Sequence, residues 1–194
     1  MITHLVPTWR VAGSRGVETA WVGLGDGELH ARGRVVGTVP APYWLSYELE
    51  AGPAWITRRL RVRAESADGE RELDLRQEGG RWTVNGVHRP ELNGALDCDL
   101  SLSPLTATMP VLRHRLHRRP GEQDFLMARV RVPGLTVHPS PQTYTHLLPA
   151  GEGTEAGAGE AVTVRYRCGD HTGDLLLDGH GLVLDHPGLA RRLP

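Results

Sequence analysis

Asp97, Asp99, Arg58, Arg113, Gln142 and Tyr144 are the side chains whose types and surroundings could do chemistry or grip a polar ligand. Asp97 and Asp99 lie in L-N-G-A-L-D-C-D-L-S-L-S, residues 92–103. On a strand, their spacing puts both carboxylates on one face with Ser101 and Ser103, and Leu96, Cys98, Leu100 and Leu102 on the other. Carboxylates so placed can serve as acid and base, hold a polar head group, or pair with Arg113 and Arg115 of a neighbouring strand. The paired-aspartate metal site of sugar-nucleotide transferases belongs to α/β folds, and nothing in this chain alternates strand with helix. Arg58 shares the two-residue phase of Ile56, Leu60 and Val62, so it is expected to point inward, where a guanidinium needs a partner. Gln142 and Tyr144 add neutral donors and acceptors suited to hydroxyl groups.

Other chemistries are excluded by residue type or spacing. All 22 basic residues are arginine, which removes Schiff-base chemistry and any P-loop lysine. His114 and His117 would face opposite sides of a strand and could not share a metal. Cys98 and Cys168 lack C-x-x-C spacing, and Cys98, on the leucine face, reads as a small buried hydrophobe. No nucleophile-elbow glycines surround Ser101 or Ser103. Gly23, Gly25 and Gly27 alternate in a hairpin rather than joining strand to helix, which removes a dinucleotide loop. The reading therefore assigns no catalytic residue, no metal and no cofactor. A net charge of −1 and a pI near 6.8 offer nothing to attract nucleic acid or an anionic membrane. No apolar run reaches membrane-spanning length, and no basic, then apolar leader opens the chain, so the expected location is cytoplasmic.

The elements that must carry these side chains are strands. Alternation marks Glu18 to Leu24, Glu28 to Val39, Tyr43 to Glu50, Trp55 to Ala64, Glu70 to Gln77 and Gln123 to Val132, joined by turn signals such as Asp26-Gly27, Gly79-Gly80 and Asn85-Gly86. Val111 to His117 reads as a further strand, and 149–160, almost without apolar residues, as a mobile loop. In all, roughly thirteen short strands at 8–12-residue spacing predict one all-β domain over 1–194. Three small residues on one face of Glu28 to Val39 predict a bend or a close approach there. No helix of core length is available as a plug, so the apolar face is expected to be concave, with Tyr43, Leu45, Tyr47, Ile56, Leu60 and Val62 facing one interior.

A set of segments in fixed order carries a family resemblance: D-G-E-L-H-A-R-G (26–33), P-Y-W-L-S-Y-E-L (42–49), W-I-T-R-R-L-R-V (55–62), R-W-T-V-N-G (81–86), the 92–100 segment, P-L-T-A-T-M-P (104–110), P-G-L-T-V (133–137), P-Q-T-Y-T (141–145) and L-V-L-D-H-P-G-L-A-R-R (182–192). With these the chain resembles a bacterial family described as glycolipid-binding proteins. It departs from the family pattern at Ala95, Ala107 and His186. The resemblance implies a single large antiparallel sheet curled into a half-barrel or incomplete barrel, similar to carriers that shield lipidated cargo. It implies a binding module for a lipid-like or glycolipid-like small molecule rather than an enzyme. The ligand-binding candidates are Tyr43, Tyr47, Arg58, Asp97, Asp99, Arg113, Gln142 and Tyr144; of these, Arg58, Arg113, Asp97 and Asp99 are expected to converge at one rim of the concavity, with Gln142 and Tyr144 adding neutral donors and acceptors. The alternatives are a hydrolase-like enzyme using Asp97 and Asp99 with Arg58 and Tyr144, an interaction role through exposed sheet edges, and a cluster in which Asp97, Asp99 and Arg113 merely neutralise one another. The oligomeric state is left open.

Overall fold

The computed structural model describes residues 1–147 and 161–194; the segment 149–160, expected to be a mobile loop, lies outside the described residues. The strands are β1 (Thr3–Leu5), β2 (Thr8–Val11), β3 (Gly16–Leu24), β4 (Leu29–Gly37), β5 (Tyr43–Ala51), β6 (Thr57–Ser66), β7 (Gly69–Glu78), β8 (Arg81–Val84), β9 (Val87–His88), β10 (Asp97–Leu100), β11 (Glu122–Arg131), β12 (Thr136–Leu147), β13 (Val162–Cys168), β14 (His171–Leu177), β15 (Val183–His186) and β16 (Ala190–Arg192). They form one sheet in the order β10-β11-β12-β13-β14-β15-β16-β2-β3-β4-β5-β6-β7-β8-β9, with β1 added on β3. The sheet curls without closing, giving an all-β half-barrel. Among the described residues no helix is long and apolar enough to cross a membrane.

Alternation specifies the two faces of the central strands. In β4 every odd residue from Leu29 to Gly37 is buried and every even one exposed, and β5 keeps the same phase from Tyr43 to Ala51. Of the six residues expected to face one interior, Tyr43, Leu45, Tyr47, Leu60 and Val62 do share one core, whereas Ile56, only half-buried and ahead of the β6 bulge, stands outside it. The small residues of β4 make room for the aromatics of β5. A Cβ on Gly33 would sit 2.1 Å from a Tyr47 ring carbon, and one on Gly37 2.4 Å from a Tyr43 ring carbon. The close approach expected from the small residues is thus two tyrosine rings laid across glycines.

Prolines at 139 and 141 interrupt the sequence pattern but not β12. Both are exposed and pair only with β11, because the pairing of β12 with β13 begins at Thr143. There β12 is an edge, where a missing N–H costs no ladder bond.

Three expectations are corrected. Arg58 is exposed rather than inward: Ala51 pairs with Thr57 and Glu50 with Arg59, so Arg58 is the extra residue of a bulge that resets the phase. Val111 to His117 is not a strand but the end of helix α1 (Thr108–Arg113) and its following turns. Leu105, Met109, Leu112 and Leu116, spaced by four, three and four, have the helical period that outweighs the local alternation. Finally, β10 runs parallel to β11, which demands a long crossover, and 101–121 supplies it. This crossover brings Leu105 and Met109, both fully buried, into the apolar cluster formed by the inward faces of β2 to β8. The expected open apolar concavity is therefore filled by the chain's own short helical segment.

Candidate functional site

The carboxylates of β10 sit under the crossover, not at a rim. Arg113 leaves the last turn of α1 and grips Asp97 with both terminal nitrogens, Nη1 donating to Oδ1 at 2.9 Å and Nη2 to Oδ2. The pair is buried, with side-chain exposures of 1% for Asp97 and 10% for Arg113. Burial raises the Asp97 carboxyl above its ordinary range, and the guanidinium opposes this. Two residues on, Asp99 accepts a hydrogen bond from Gln142 Nε2 at 2.7 Å and lies 3.5 Å from Arg129 Nε. Tyr144 donates to Gln142 Oε1 at 3.2 Å, so Tyr144, Gln142 and Asp99 form one polar chain.

This chain borders a cavity of about 100 Å³ whose other walls include Ser103, Thr106, Ala107, Arg129, Tyr166, Cys168, His171 and His186. Tyr144 and Tyr166 pack edge to face at 5.3 Å, and Tyr166 meets His186 at 5.4 Å. Burial pushes His186 down to about 4. Such a volume accommodates about three waters, well short of the ~300 Å³ at which small-molecule pockets begin.

Behind Ser103 lies a buried acid that the strand assignments passed over. Glu18 of β3 is fully buried. Its Oε1 accepts from Tyr47 OH at 2.6 Å and from Ser103 Oγ at 2.7 Å, while Oε2 and the Tyr43 hydroxyl are buried without a hydrogen-bond partner among the described residues. Burial, only partly offset by the two hydroxyls, pushes its carboxyl up to about 7. The signal was present in the sequence: Glu18 shares the phase of Ala20, Val22 and Leu24, all inward.

Two large depressions lie on the opposite, outward face of β3 to β7. One is a trough of about 800 Å³ walled by Trp21, Arg32, Arg34, Ser46, Glu48, Arg59, Arg61, Arg63, Glu72, Asp74 and Asn85. Register explains the grouping, because Trp21, Arg32, Glu48, Arg61 and Asp74 are cross-strand neighbours in one row, and Thr19, Arg34, Ser46, Arg63 and Glu72 in the next. Gly33, Tyr47, Val62 and Leu73 also line it, and since those side chains are absent or buried, the floor is backbone. A second recess of about 560 Å³ adjoins the trough through Trp21, Arg32 and Glu48. Ile2, Leu5, Val6 and Trp21 give it apolar walls, and three of these are strongly exposed: Ile2 59%, Val6 63% and Trp21 61%.

With this geometry established, the comparisons with known proteins identify the family. The family model described as "Putative glycolipid-binding" matches residues 6–192. The chain belongs to this glycolipid-binding family. Among solved structures it is similar to the crystal structure of a DUF1089 family protein from Pseudomonas aeruginosa, with 28% identity and a TM-score of 0.71 over 91% of this chain and 92% of that one. No curated protein matches the chain. Ala107 and His186 both line the small cavity.

The eight ligand-binding candidates are thus divided among three places in this family member. Asp99, Gln142 and Tyr144 meet at the small cavity, and Asp97, two residues before Asp99 on β10, pairs alongside with Arg113 of α1. Tyr43 and Tyr47 belong to the core around Glu18. Arg58 stands exposed at its bulge with no ion pair among the described residues. Both cysteines are free, and burial pushes Cys98 up to about 12.

Proposed function

We propose that the protein binds a glycolipid-like amphiphile without transforming it, and that the ligand lies on the outward face of β3 to β7. The observation that carries this reading is the continuity of an apolar recess with a polar trough twice as rich in charged walls, sharing Trp21, Arg32 and Glu48 at their junction. An amphiphile needs such a pair, an apolar wall for its chain and polar groups with a flat ring surface for its sugars. Among the described residues the half-barrel interior is occupied by Leu105 and Met109. The description of the family supports the same ligand class. Binding is favoured over hydrolysis because Asp97 is locked by Arg113, and Asp99 by Gln142 with Arg129 close by. Neither carboxylate is free to activate a water.

Organic extraction and native mass spectrometry of the purified protein test this reading. A co-purifying amphiphile that is lost in Trp21→Ala and Val6→Asp, with melting temperatures held, is the expected outcome. Retention of the amphiphile by both variants, or its loss only when the interior is disrupted by Met109→Ala, would refute the location.

A further inference from the structure

We infer that the head group read by the trough is acidic, carrying a carboxylate or phosphate that Arg32 and Arg34 receive; this rests on the amphiphile reading above. The arginines of the trough fall into two groups. On β6 each one already has an acid: Arg59 donates to both oxygens of Asp74 at 2.7 and 2.8 Å, Arg61 lies 3.2 Å from Glu48, and Arg63 lies 2.5 Å from Glu70. On β4 neither Arg32 nor Arg34 has an ion-pair partner among the described residues. Register explains the difference. The cross-strand neighbours of Arg34 are Thr19 and Ser46, both neutral, and those of Arg32 are Trp21 and Glu48, the latter already engaged by Arg61.

The trough therefore holds two unneutralised guanidiniums, two residues apart on one strand face, over a backbone floor. Arg32 is steadied by the indole of Trp21, its Cζ 5.5 Å from the ring centroid. This contact fixes the charge beside the most exposed flat ring of the junction, where a sugar would stack. Planar guanidiniums present paired N–H donors that match carboxylate and phosphate oxygens. The Ser46 hydroxyl, beside Arg34, has no hydrogen-bond partner among the described residues and can donate to the same oxygens or to a ring hydroxyl. An uncharged sugar would use the stacking surface and leave both charges unanswered.

The test compares dodecyl β-D-glucuronide with dodecyl β-D-glucoside, which share chain and ring and differ by one carboxylate, using calorimetric titration below micelle-forming concentrations. The expected result is a preference of about tenfold for the glucuronide, abolished in Arg34→Gln, reduced in Arg32→Gln and weakened by salt. Chainless glucuronate and inorganic phosphate should bind far more weakly, with the same dependence on Arg34. Equal affinity for the two dodecyl compounds in the wild type would overturn the acidic head group and leave the amphiphile reading standing. Binding of neither would overturn both. Chainless glucuronate or phosphate binding as tightly as the dodecyl glucuronide would overturn the lipid ligand in favour of a free anion.

Discussion

Replacing Glu18 by glutamine should stabilise the protein above neutral pH and leave it unchanged below pH 4.5. Glutamine is nearly isosteric and keeps an oxygen for the Tyr47 and Ser103 hydroxyls. What it removes is the buried charge. Glu18 titrates at about 7 in the folded protein against an ordinary 4.5. Below 4.5 both states carry the proton and the wild type has no penalty. Between 4.5 and 7 the unfolded chain ionises first, binds fewer protons, and stability falls as pH rises. Above 7 the full cost is present, about 3 kcal/mol for a gap of this size. In melting temperature that is about 6–12 °C for a chain of this length. His117 and His186 are both pushed down to about 4 and act in the opposite sense. The unfolded chain binds the extra protons between 4 and 6.5, so their contribution rises with pH across an overlapping window. Only the difference between variant and wild type isolates Glu18. Thermal or urea unfolding of both proteins from pH 4 to 8.5 measures it. A difference that stays flat across this range would refute the assignment of a buried, late-titrating carboxyl.

Two further perturbations probe the framework that positions the trough and the cavity. Gly33→Ala should destabilise by about 1–3 kcal/mol, because the new Cβ would fall 2.1 Å from the Tyr47 ring; equilibrium unfolding checks it, and Gly33→Ala combined with Tyr47→Leu should recover part of the loss. Arg113→Gln leaves the Asp97 charge buried and uncompensated, with an expected cost of about 3–5 kcal/mol; Asp97→Asn in the same background should be less damaging than Arg113→Gln alone, a double-mutant cycle by urea denaturation deciding the point.

Much of the architecture was legible in the chain because a strand face repeats every two residues and burial selects for that period directly. The faces of β4 and β5, the turns at Asp26-Gly27 and Asn85-Gly86, and the need for something to lie across Gly33 and Gly37 follow from local pattern and turn chemistry. Glu18 was equally legible, since its phase matches Ala20 and Val22. Other features depend on distant residues. One extra residue at Arg58 turned a charge from the core to solvent, and nothing in Trp55 to Ala64 marks a bulge until the pairing of Ala51 with Thr57 is known. Asp97 meets Arg113 because a parallel pairing of β10 with β11 forces a crossover over that face, where the alternation of Val111 to His117 suggested an adjacent strand. The outward trough was hidden for the same reason. Its charges come from four strands, β4 to β7, and which arginines lack an acid is decided by cross-strand register, a relation between residues far apart in sequence. Local periodicity determined which residues face inward; long-range pairing decided which polar groups are neutralised, and so where this protein has charge left to recognise a ligand.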